Sequence, residues 1–496
     1  MMTRPNDFNK SLQATRDGAS SSAIAEDVIS PACLSWTLAM NDPSVLRGLI
    51  GLGKTWAVYV GAVISLVNIL LASLSARAQP IHLELVVAFP GTLSSSTGNL
   101  VPGDDGSLYG TTFSGGNSFA GTAFKVTTNG VLTTLVSFAG TNGANPIAGL
   151  TPGGDGNFYG TTGYGGNGYG TIFKLTTNGV LTPLFIFAQT NGALPSGQLT
   201  LGGDGYFYGT TQSGGSYGCG TVFRVAADGA LTTLISFART NGADPVAGLT
   251  PGPDGAFYGT TASGGSFTYY GTVFRVTTNG TLTTLASFAL TNGVHPYAGL
   301  TLAGDGNFYG TTDGGGSGVY GTVFRVTTNG ALTSLVAFNY ANGASPKALM
   351  LGGDGCLYGT TEYGGHNGAG IVFQITTNGL FTSLDAFAYS NGAHPHTTLT
   401  PGGDGNFYGT TYDGGSSNGG VIYRLRRGAY LQSFGPATNG FVLNYINVGG
   451  SGTVVLAASS DLVSWTPILT NGPIARQFVD TSAPAKSQQF YRMYQQ

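Results

Sequence analysis

The chain has 496 residues, long enough for two or three domains. Only 8% of them are charged, the net charge is −3 and the sequence shows no basic stripe, which argues against a nucleic-acid partner. Hydrophobic residues make up 41%, so the 84 glycines belong to a folded chain and not to a disordered low-complexity one.

Residues 1–45 are polar, lack any period and read as unstructured. Arg47 and Lys54 then flank an apolar run over 56–74, followed by Ala76-Arg77-Ala78. A basic flank, an apolar core and Ala-x-Ala predict a secretory signal peptide, cleaved after Ala78, so that residues 1–78 form a disordered N-terminus plus signal. The run is also long enough for an uncleaved anchor, the one membrane attachment the sequence offers if cleavage fails. Gly48 and Gly53-Lys54-Thr55 match a phosphate-binding loop literally, but no strand precedes them and no α/β domain follows.

From residue 79 the chain repeats. An Asp-Gly pair falls at Asp105, Asp155, Asp204, Asp254, Asp305, Asp354 and Asp404, in steps of 50, 49, 50, 51, 49 and 50 residues. Each unit carries Phe-Tyr-Gly-Thr-Thr or a close variant, a Gly-rich loop, a run such as Gly321-Thr322-Val323-Phe324-Arg325-Val326, a Thr-Asn-Gly-type turn and a run such as Leu332 to Phe338. Four strand-like runs of about five or six residues within a period near 50 predict a β-propeller blade. Asp-Gly and Asn-Gly suit two-residue hairpins, where Gly accepts positive φ.

The seventh copy stops after its third run, Val421 to Leu425, and the missing fourth run stands before the first copy as Leu83 to Phe89. The sequence therefore predicts an all-β fold: a seven-bladed propeller over 79–427, with four-stranded blades, closed by an N-terminal strand that removes the open edge. After Arg427 the repeat is lost, and residues 430–496 read as a small β-sandwich-like domain with Trp465 as its core anchor.

The three recurring motifs, Asp-Gly-x-Phe-Tyr-Gly-Thr-Thr, Gly-Thr-Val-Phe-Arg-Val-Thr-Thr-Asn-Gly and Asn-Gly-Ala-x-Pro, resemble the GloVer tandem repeat of Gloeobacter and Verrucomicrobia, over about residues 82–427. That repeat is found in exported proteins of the choice-of-anchor type. The resemblance implies a secreted or cell-surface protein and brings no catalytic residues with it.

Seven copies allow an internal comparison. Positions alike in every blade solve the same packing problem, so the Asp of each Asp-Gly turn reads as turn chemistry. The basic position of the third strand, Lys125, Lys174, Arg224, Arg275, Arg325 and Arg424 with Gln374 in the sixth copy, reads as a structural hydrogen-bonding residue. Function is sought where the copies disagree on one face. Antiparallel order places the loops between second and third strands on the same face as the blade-to-blade crossings. Just after Tyr-Gly-Thr-Thr stand Phe113, Gly163, Gln212, Ala262, Asp313, Glu362 and Tyr412, and before the crossing Pro stand Asn145, Leu194, Asp244, His295, Ser345 and His394. Tyrosines, Tyr363 among them, stand between Gly, Ser and Asn, a composition suited to adaptable recognition.

The leading expectation is a non-enzymatic, monomeric propeller that binds an extracellular glycan or surface protein through Phe113, Gln212, Asp313, Glu362, Tyr363, His394 and Tyr412. The alternative is a carbohydrate-active enzyme, a glycosidase or lyase, using Asp313 and Glu362 in the propeller channel. Glu362, His366, His394 and His396 form a candidate metal or acid–base cluster. Cys33, Cys219 and Cys356 suggest no disulfide framework, and no cofactor motif emerges.

Overall fold

The computed structural model describes residues 81–91, 93–94 and 98–426, and beyond them the backbone of six strands between 430 and 495. The signal segment and Trp465 lie outside the described residues.

Residues 98–426, with His82–Ala88, form seven antiparallel blades and no helix. Blade 3 shows the plan. Thr200–Leu201 pairs with Phe207–Thr211, which pairs with Thr221–Val225, which pairs with Leu231–Ser236. The second strand is wholly buried and the third nearly so, while the fourth is half exposed at the outer edge. The innermost strand differs from expectation, having two residues in place of five or six. Crowding around the axis accounts for this. At Gly149 and Gly248 the inner strands of neighbouring blades approach so closely that a Cβ would sit 2.6 and 2.7 Å from backbone oxygens of Asn99 and Gln198.

The Phe-Tyr dipeptide of the second strand joins the blades. Successive residues of a strand point to opposite faces, so the Tyr reaches forward and the Phe backward. Tyr159 stacks on Phe207, Tyr208 meets Phe257 and Tyr258 stacks on Phe308, each with centroids 4.2 Å apart. The Gly that follows leaves room for the third-strand Phe: a Cβ on Gly209 would lie 2.6 Å from the Phe223 ring.

Each Asp-Gly turn is a local clamp. Asp204 Oδ1 accepts from the Tyr206 amide, and its Oδ2 accepts from the Tyr208 hydroxyl at 2.6 Å. Burial raises the Tyr208 pKa, and Asp204 adds to the rise, to about 12. In blades 1, 2 and 4 the third-strand base joins the same carboxylate: Lys125 on Asp105 at 2.5 Å, Lys174 on Asp155 at 2.9 Å and Arg275 on Asp254 at 2.6 Å. In blade 6, Gln374 donates to the Tyr358 hydroxyl instead. In these blades the repeated polar residues act as scaffold.

Closure follows the sequence reading. His82–Ala88 pairs antiparallel with Val421–Arg426 as the fourth strand of blade 7, with Leu83 opposite Leu425 and Val87 opposite Ile422. Arg424 Nη2 donates to Glu84 Oε2 at 2.7 Å across that pairing.

In the C-terminal part, Tyr430–Ala437, Gly440–Ile446 and Arg476–Asp480 form one antiparallel sheet. Thr466–Thr470, Val454–Ser459 and Phe490–Gln495 form another.

Candidate functional site

The six crossings share one backbone device. Asn145, Leu194, Asp244, His295, Ser345 and His394 all adopt φ between 52 and 56°. For a non-glycine residue this left-handed conformation is costly, and it persists only where neighbours over-determine it. Here the amide of each donates to the end of the preceding loop, as Leu194 does to Tyr169 and His295 to Tyr270. Their carbonyls accept from the residue after Tyr-Gly-Thr-Thr: Gln212 donates to Leu194 and Asp313 to His295. The two variable positions picked out by sequence are thus hydrogen-bonded neighbours.

The residue after each crossing Pro turns down into the central channel. Ile147, Ser196, Val246, Tyr297, Lys347 and His396 line the rim of a cavity of about 710 Å³, together with Gln212 and Asp313. Further along the same inner strands, Asn99 of blade 1 donates from Nδ2 to Gln198 Oε1 of blade 3 at 3.1 Å and constricts the cavity. Deeper still, threonines tie five of the inner strands to the next, as Thr200 donates to Leu249 O and Thr250 to Leu300 O, both at 2.6 Å.

The rim is two-sided. Ile147 and Val246 make blades 2 and 4 apolar, while blades 5 to 7 carry an ionic chain. Lys347 Nζ lies 2.5 Å from Glu362 Oε2 and 3.7 Å from Asp313 Oδ1, and His396 Nε2 lies 3.0 Å from Glu362 Oε1. Burial alone would raise the Glu362 pKa, but the His396 hydrogen bond and the Lys347 charge overcome it and hold the carboxyl well below its ordinary range. Tyr297 is raised by burial and by the facing charges of Asp313 and Asp244.

The proposed metal cluster does not assemble. His394 pairs through Nδ1 with Asp413 at 2.7 Å and sits between Tyr363 and Tyr389, whereas His396 turns to Glu362 and Tyr412. His366 is exposed in its loop. Among the described residues no three His, Cys, Asp or Glu converge as a metal requires. The left-handed backbone at His394 supplies the reason, since it directs that side chain away from its neighbour two residues on.

Asp313 and Glu362 do meet at the channel mouth. Their shared Lys347 keeps the facing oxygens within about 6 Å of each other, close to the spacing of paired glycosidase carboxylates. Such a pair needs one member protonated near neutral pH. Glu362 is held ionised, so the arrangement is suited to hydrogen bonding and not to proton donation by that residue.

Phe113 is half-buried, and its carbonyl accepts from Asn145 Nδ2. Tyr363 and Tyr412 are exposed, and the Tyr363 pKa is raised to about 12, first by its contact with Glu362 and then by burial. Sequence reasoning missed Tyr297 and Lys347. The signal was there: the residue after the crossing Pro varies as freely as the positions that were used.

Every exposed aromatic among the described residues lies on this face, Phe119, Tyr217 and Tyr269 being the most open. The exposed apolar residues of the opposite turns, Val131, Val180 and Leu380, are aliphatic.

Fold and face together define a closed repeat propeller with one variable, aromatic-rich end. Residues 77–266 and 250–455 both match the Gloeobacter/Verrucomicrobia repeat, and the chain belongs to that family. No curated protein matches it. Solved structures similar to it include Kuenenia stuttgartiensis hydrazine synthase, at 13% identity and TM-score 0.47, over 68% of this chain and 97% of that one. PorZ, a surface component of the Porphyromonas gingivalis type-IX secretion system, is 11% identical at TM-score 0.45, over 82% of this chain and 60% of that one. The periplasmic gluconolactonase of Pseudomonas aeruginosa is 17% identical at TM-score 0.42, over 66% and 99%.

Proposed function

We propose that this chain is an exported, non-catalytic propeller that binds an extracellular glycan through the face built from its crossings and second-to-third-strand loops. The supporting observation is the confinement of all exposed aromatics among the described residues to that face. Some stand singly between Gly, Ser and Asn, as in Gly215-Ser216-Tyr217-Gly218, while Tyr320 and Tyr340 pack with centroids 5.5 Å apart. Isolated rings between small hydrogen-bonding residues suit a ligand that alternates apolar C–H faces with hydroxyls. The basic flank, apolar run and Ala-x-Ala before residue 79 support export.

Residues 79–496 applied to paired arrays of glycans and surface proteins test this reading. Retention on glycans, reduced by Tyr217→Ala together with Tyr269→Ala, supports it. Retention only on proteins overturns it.

A further inference from the structure

We infer that the central cavity at the mouth of blades 2 to 6 is an end-on site for the terminal residue of a neutral oligosaccharide, a site that rests on the glycan reading of the surrounding face. The inference starts from two polar side chains left unused by the fold. Gln212 and Asp313 both line the cavity, and among the described residues neither side chain makes a hydrogen bond. Asp313 comes no closer than 3.7 Å to Lys347, beyond hydrogen-bonding reach. The inner-strand threonines Thr151 and Thr200 are satisfied by neighbouring carbonyls, and Gln198 by both Leu150 O and Asn99.

Charge selects the ligand class. An anion entering the rim meets Asp313 and Glu362, and a cation meets Lys347. A hydroxyl donates and accepts at once. A run of vicinal hydroxyls can therefore accept from the Lys347 ammonium, donate to Asp313 and exchange with the Gln212 amide. The opposite wall, Ile147 and Val246, receives the C–H face of a sugar, and the half-exposed Tyr297 ring stands on the side of Asp313. The volume lies within the range of small-ligand pockets, roughly 300–1,000 Å³. The Asn99–Gln198 bar narrows the passage further along the inner strands, so a chain enters by its tip and does not thread through.

The test uses residues 79–496 and four neutral linear hexasaccharides, of β-linked glucose, xylose, mannose and N-acetylglucosamine, measured by calorimetry. The expected result is binding of at least one, competed by the methyl glycoside of its terminal sugar. Asp313→Asn and Gln212→Ala each weaken it about tenfold, the effect of losing one or two hydrogen bonds, with thermal unfolding unchanged. If both variants bind like wild type while Tyr217→Ala with Tyr269→Ala abolishes binding, the glycan lies across the aromatic face. The end-on site is then refuted and the glycan reading stands. If no hexasaccharide binds wild type, and glycan arrays are also blank, both fall together.

Discussion

Removing Lys347 should cost more stability than its place at a channel rim suggests. Its side chain is 15% exposed and that of Glu362 13%, and their charged atoms lie 2.5 Å apart. Breaking a buried pair from one side costs about 3–5 kcal/mol, chiefly because the remaining charge is stranded. His396 stays beside Glu362, so Lys347→Met is expected to cost about 2–3 kcal/mol. Glu362→Gln should cost less, about 1–2 kcal/mol, because Lys347 still faces Asp313. The double variant should recover part of the loss, with a coupling of about 1–2 kcal/mol. Acid provides a second reading. The Glu362 pKa is lowered on folding, so its contribution is fully present above the unfolded value of about 4.3 and is lost as pH falls below it. Urea unfolding of wild type, both single variants and the double variant at pH 7, repeated down to pH 3, measures both effects. A coupling under about 0.5 kcal/mol, or a gap between wild type and Glu362→Gln that does not narrow in acid, would refute the reasoning.

Three further outcomes follow from the packing. Gly209→Ala places a Cβ 2.6 Å from the Phe223 ring and 2.9 Å from Leu199, and should cost about 1–3 kcal/mol in urea unfolding. Gly106→Ala, at φ 76° with open space around it, should cost only about 1–2 kcal/mol, from backbone strain alone. Deleting residues 79–89 strips the fourth strand from blade 7 and bares the edge of Val421–Arg426. Size-exclusion chromatography should show association, reversed by adding a peptide of residues 80–90. Tyr217→Ala and Tyr269→Ala, on side chains 67% and 70% exposed, should shift stability by less than about 0.5 kcal/mol while weakening retention on glycans.

Period and closure were legible in the sequence because they rest on spacing. Asp204 and Asp254 repeat for the same reason that Tyr208 and Tyr258 do, and one clamp explains both. The rim was only half legible. Gln212 and Asp313 were found through disagreement between copies, and both line the cavity. Lys347 and Tyr297 were overlooked because the position after the crossing Pro was not compared between copies, although its residues line the cavity. His394 and His396 looked like one site in sequence. A left-handed residue before Pro separates them, which no side-chain pattern announces.

The strand that closes the ring sets an order of events. Its pairing joins residues about 340 apart, Glu84 to Arg424. Each of the first six blades finds its four strands within one local stretch of chain, so those blades can form as the chain emerges. The seventh cannot. Its outer strand is made first and must wait, unpaired, until the final repeat arrives. Contacts of such long sequence separation form slowly. A chain that leaves the ribosome or crosses a membrane from its N-terminus therefore completes its ring only after every repeat has passed.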